Sequence, residues 1–117
     1  MKALKTICVK IQLQFDKIEK TMEWANELNT RKEEVYETLR AEGIYLEYVF
    51  IDMKNEKEGE LIYFIKVEDI AKNKEVIANS TFAIDIYHKA YKKEAWGAAK
   101  ELKQLLGFER LEEYLTK

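Results

Sequence analysis

From Thr6 to Phe15 the chain alternates, with Ile7, Val9, Ile11, Leu13 and Phe15 apolar and Cys8, Lys10, Gln12 and Gln14 between them. A strand turns successive side chains to opposite faces, so this period of two predicts a β-strand with one buried and one polar side. The period then changes. Ile18, Met22, Ala25, Leu28, Val35 and Leu39 recur at helical spacing, Asp16 is placed to cap the start, and Gly43 suits the left-handed residue just past a helix end. Polar residues interrupt the stripe from Asn29 to Glu34, where Thr30 and Glu33 have capping-box spacing, so the helix is expected to kink or restart near Asn29. Uninterrupted, it would run about 39 Å, longer than most globular helices need.

Residues 44–53 (IYLEYVFIDM) and 60–68 (ELIYFIKVE) are rich in β-branched and aromatic side chains and flank the charged loop KNEKEG. With Asn55 and Gly59 as turn formers, they predict a hairpin. Asp69 can cap a short helix carrying Ile70, Val76 and Ile77, which Asn79 closes. Ser80 or Thr81 can cap the next, residues 83–96, where Ile84, His88, Tyr91 and Ala95 share a face and Gly97 is placed to end it. The segment KELKQLLGFER fits a helix through Leu102, Leu105 and Leu106 and fits a strand equally well through Leu102, Gln104, Leu106 and Phe108. Element order favours the strand. Strand, helix, strand, strand, helix lacks only a closing strand to become a ferredoxin-like βαββαβ unit with a four-stranded antiparallel sheet. The expectation is thus an α+β chain forming one domain over residues 1–117, with a strand at about 101–108 and a tail helix at RLEEYLT.

The hairpin is oily on both sides. Tyr45, Val49, Ile51 and Met53 alternate with Ile44, Leu46, Tyr48 and Phe50, and the third strand repeats the pattern with Leu61, Tyr63, Ile65 and Val67 against Ile62 and Phe64. Helices cover one face of such a sheet, and an antiparallel face open to water should be polar. Another copy of the same sheet is therefore the expected cover, giving a homodimer through sheet faces. The first strand's polar face would leave part of that interface as a small mixed cavity.

Composition narrows the function classes. A chain of 117 residues can bury a core without staples. Its 20 basic and 22 acidic residues leave a net charge of -2, which offers no global attraction for nucleic acid or anionic lipid. No stretch approaches the roughly 20 apolar residues of a membrane span. Lys5 and Lys10 break the first apolar run and no small-residue cleavage site follows, which makes a poor signal peptide. A single cysteine makes a reducing cytoplasm the default compartment.

The stretch LNTRKEEVYETLRAEGIYLEYVFID, the hairpin, and AIDIYHKAYKKEAW together resemble a family of small uncharacterised bacterial proteins placed with the dimeric α+β barrels. The resemblance covers most of residues 5–108 and is carried by Asn29, Arg31, Glu34 and Val35, by the Glu47–Asp52 strand, and by Ile84, Asp85 and His88. Dimeric α+β barrels include cofactor-free oxygenases, haem-degrading enzymes, isomerases and proteins of no known activity, so the resemblance implies a location for function and not a reaction. The chain departs from the haem-degrading pattern, since it offers no axial histidine outside residues 83–96.

Candidate chemistry is sparse. His88 is the only histidine, and Asp85 three residues before it could orient the ring and raise its basicity, as in a general-base pair. The competing reading is a half-buried histidine bonded between layers. Tyr48, Tyr63, Tyr91 and Trp96 could line an aromatic pocket or simply fill the core. Arg31 and Glu34 could pair at the helix break, or face a cavity where the arginine anchors an anion. One histidine, one cysteine and no ligand cluster argue against a metal, and no cofactor motif is present. Cys8 has no evident partner for nucleophilic chemistry. The basic run His88, Lys89, Lys92, Lys93, Lys100 and Lys103 reads as a solvated face rather than a nucleic-acid surface. The leading expectation is a cytoplasmic homodimer binding a small organic ligand. The rivals are an oxygenase- or isomerase-like enzyme with His88 as base, and a structural or regulatory interaction module.

Overall fold

The computed structural model describes residues 3–116. Its elements are β1 (Lys5–Leu13), α1 (Ile18–Thr30), α2 (Lys32–Glu42), β2 (Ile44–Met53), β3 (Gly59–Val67), α3 (Ile70–Asn79), α4 (Ala83–Ala95), β4 (Trp96–Glu101) and α5 (Leu111–Leu115). The fold is α+β, with one four-stranded antiparallel sheet in the order β2-β3-β1-β4.

The alternating residues of β1 take their expected sides. Val9, Ile11 and Leu13 lie on the face that α1 and α4 cover, and the cluster of Ile11, Leu13, Ile18, Trp24, Leu61, Tyr91 and Ala95 is buried there. Lys10 and Gln12 point the other way. The first helical stretch is two helices, broken at Arg31, whose φ of -101° and ψ of 43° leave the helical region. The Arg31 guanidinium closes the joint, donating from Nε and Nη2 to both Glu34 carboxylate oxygens at 2.7 Å and from Nη1 to Glu27 at 3.4 Å. Gly43 ends α2 in the left-handed conformation at φ 69°, as its placement predicts.

Several local expectations are corrected. Asp16 does not cap α1; it sits at φ 61° in the turn before Lys17, which holds the cap position. Thr30 and Glu33 form no capping box, because the Thr30 hydroxyl donates back to the Asn26 carbonyl at 2.8 Å. Neither Ser80 nor Thr81 caps α4, whose cap position is Phe82; Ser80 instead donates to Asp85. Asp69 does cap α3, accepting from the Lys72 amide at 3.1 Å.

The closing strand is displaced from residues 101–108 to Trp96–Glu101. Trp96 is already extended, and Gly97 lies inside the strand rather than ending α4. The cause is proximity to β1: a Cβ on Gly97 would come within 2.9 Å of the Gln12 carbonyl oxygen, so only glycine lets the chain turn directly from helix to strand here. The tail then runs without regular structure to α5, held by the Leu102 amide on the Cys8 carbonyl at 2.8 Å and by Lys66 on Glu109 at 2.6 Å.

A bulge corrects the hairpin's faces. The β2–β3 register shifts between Ile44 and Leu46, which leaves Tyr45 67% exposed and turns Ile44 to the helix side with Val49 and Ile51. Glu47 falls on that same covered side, opposite Ile65. Leu46, Tyr48, Phe50, Ile62 and Phe64 make up the apolar outer face.

Candidate functional site

The α4 seam carries His88 inward with Ile84, Tyr91 and Ala95, all three of which are buried. The ring is oriented by Trp24 of α1, whose Nε1 donates to His88 Nδ1 at 3.0 Å. The two rings stack at 5.6 Å between centroids, and Trp24 also stacks on Tyr91 at 4.6 Å. His88 also meets Trp96 edge-on at 5.9 Å, and Trp96 meets Tyr63 at 5.8 Å. Five rings from four elements thus form a continuous column. Because Nδ1 accepts, the neutral imidazole carries its proton on Nε2. Burial, with Lys92 adding repulsion, lowers the His88 pKa to about 3.

Asp85 does not serve as the ring's partner. It is buried and accepts from Ser80, the residue that follows the end of α3. The sequence-expected pair is therefore brought to one wall without being brought to each other.

That wall bounds a cavity of about 140 Å³ between α2, α3, α4 and the sheet. Glu42, Glu47, Asp85, Lys89, Lys92 and His88 contribute its polar lining, with Asn73, Tyr63 and Trp96 beside them. Glu42, the last residue of α2, is 7% exposed, and burial followed by repulsion from Asp85 and Glu47 pushes its pKa up to about 7. Burial likewise raises Glu47, whose Oε1 accepts from the Tyr63 hydroxyl. Burial raises the Tyr63 phenol well above its ordinary range, and the Glu47 charge adds to this, so Tyr63 stays a donor. Lys92 is not toward solvent as its position in the basic run suggested. Its ammonium sits 4.9 Å from the Trp96 ring centre, and burial lowers its pKa against the pull of Glu42. Asn73 of α3 is 7% exposed, and its Nδ2 has no hydrogen-bond partner among the described residues.

A second, open groove of about 450 Å³ runs between α1–α2 and the β2 edge of the sheet, past Met22, Lys32, Tyr36, Tyr48 and Phe50. It shares Leu28, Val35, Leu39, Glu47 and Tyr63 with the cavity, so these side chains form a wall common to both voids.

The structure gathers His88, Asp85, Tyr63 and Trp96 around the cavity and puts Tyr48 on the groove. Tyr91 lies in the core and donates to Thr21, whose own proton goes to the Lys17 carbonyl. Arg31 and Glu34 are at the helix joint and line neither void; the guanidinium holds the Glu34 pKa below its usual value. Sequence reasoning missed Glu42, Glu47, Lys92 and Asn73. Glu47 was visible as the one acid amid the apolar residues of the second strand's inward face, and Glu42 as a charge immediately before the Gly43 cap. Among the described residues no group of three or more histidine, cysteine or acidic residues is arranged to hold a metal ion, and no helix is long and apolar enough to cross a membrane.

No curated protein and no solved structure is significantly similar to the chain. A family model does match, over residues 4–113, and covers every element that builds the cavity. The chain belongs to the family of unknown function DUF6176.

Proposed function

We propose that the chain is a single ferredoxin-like α+β domain that works as a homodimer and binds a small polar organic molecule in the cavity beneath α4. The strand order supports the fold assignment: read from its other edge it is β4-β1-β3-β2, the order of an antiparallel ferredoxin-like sheet. The apolar outer face of β2 and β3 supports the homodimer.

The observation that carries the ligand reading is the mixed lining of the cavity. Asn73 Nδ2 is a buried donor with no partner among the described residues, while Glu42 and Glu47 are acceptors under strong desolvation. A ligand with both oxygen acceptors and O–H or N–H donors satisfies the two sets together. At about 30 Å³ per water-sized group, the cavity takes a molecule of four or five heavy atoms. Thermal unfolding against a panel of small hydroxy acids, amino alcohols and polyols tests this. One class should raise the midpoint of the native protein and not that of Glu47→Gln. A panel that moves neither protein sinks the reading.

A catalytic reading draws on one observation, the Glu42 pKa of about 7, which suits a general base or acid near neutrality. It moves the proton-transfer role from His88, whose basic nitrogen is occupied by Trp24, to the end of α2. Turnover that survives Glu42→Gln would remove it.

A further inference from the structure

The chain carries two apolar surfaces that its own fold leaves unmatched. One is the edge of the outer sheet face, where Tyr48 is 56% and Phe50 62% exposed. The other is the tail beyond β4, where Leu105, Leu106, Phe108, Leu111 and Leu115 are 82%, 76%, 88%, 53% and 77% exposed. Isolated exposed leucines are ordinary, but five within eleven residues of one tail form a patch. The tail is anchored at its root, through Leu102 on Cys8, and at Glu109, through Lys66. Lys66 belongs to the outer face of β3, so the tail crosses the margin of that face while its large side chains stay in solvent.

We infer that the tail of each chain is an arm that docks on the outer sheet face of a second copy, against Tyr48 and Phe50, in a reciprocal two-fold exchange. A second copy is the occupant the surfaces specify. In an isologous pair, one association step covers both the arm and the sheet edge of each chain, whereas an unrelated partner on either would leave the other bare. The area suffices. Seven side chains more than half exposed, at on the order of 100 Å² each, bring about 700 Å² per protomer, close to the roughly 800 Å² of a standard interface. The inference rests on the homodimer reading above and adds to it which element does the covering.

Sedimentation of the full chain tests it through Phe108→Glu on the arm and Phe50→Glu on the face, both at exposed positions, with circular dichroism to check that each variant folds. The native protein should be dimeric at about 10 µM, and each variant should dimerise at least tenfold more weakly, as expected when an interface anchor is lost. Mixing the two variants should restore dimer that neither forms alone, because one intact arm then meets one intact face. A Phe108→Glu protein as dimeric as the native one overturns the arm and leaves the homodimer standing. Two monomeric variants that do not complement overturn the pairing of arm with face. A native protein that is monomeric at 100 µM overturns both.

Discussion

Trp24 Nε1 donates to His88 Nδ1 at 3.0 Å, and the two rings stack. One contact thereby fixes the tautomer of the only histidine and removes its basic nitrogen from the cavity. Trp24→Phe should free that nitrogen, and the loss of a part-buried hydrogen bond should cost about 1–2 kcal/mol in denaturant unfolding. In the native protein, nitrogen-detected NMR should show the Nε2–H form down to pH 5. In the variant the ring should titrate at a higher pH. An unchanged titration would mean that burial alone, and not the indole, sets the ring's state.

His88 also predicts acid sensitivity. Its folded pKa of about 3 lies below the ordinary value near 6.5, so the unfolded chain binds this proton more readily. Stability from this group is complete above pH 6.5 and declines as pH falls toward 3. His88→Gln should flatten that decline in a series of urea midpoints. A variant curve parallel to the native one would contradict the assignment.

Glu42 works in the opposite direction. Its folded pKa of about 7 exceeds the unfolded value near 4.3, so the folded chain binds the extra proton and stability falls as pH rises between them. Glu42→Gln, which keeps the shape of the protonated acid, should match the native protein near pH 5. At pH 8 it should exceed it by about 1–2 kcal/mol, once solvent screening is allowed for. Equal stability at both pH values would show that the carboxyl ionises freely.

Gly97→Ala should destabilise by about 1–3 kcal/mol, because its methyl group would press on the Gln12 carbonyl oxygen and the strand must move to admit it. Hydrogen exchange at the Gln14 amide, which bonds the Ala95 carbonyl at 2.8 Å, should quicken in the variant. Unaltered protection there would mean the junction yields without strain.

The sequence disclosed what depends on local period. β1, the bounds of β2, the Gly43 terminus and the inward seam of α4 follow from alternation and helical spacing that tertiary contacts reinforce. It concealed what depends on distant approach. Nothing near Gly97 announces that Gln12 lies against it, so helix-friendly AAKELK invited a later strand. The cavity was half legible for the same reason. His88 and Asp85 drew attention as a spaced pair, but Trp24, 64 residues away, took the bond, and Ser80 took the carboxylate. Glu42, Glu47 and Asn73 meet only once α2, β2 and α3 are assembled, and no interval between them along the chain signals it.

The ring column gives the molecule a built-in optical gauge. Both tryptophans of the chain belong to it, and both touch the wall of the cavity through His88 or directly. Indole emission responds to the polarity and proton donors around it, so a molecule entering the cavity, or a proton arriving on His88, should shift colour or intensity without any label. Occupancy can be followed in the native chain before the identity of the occupant is known.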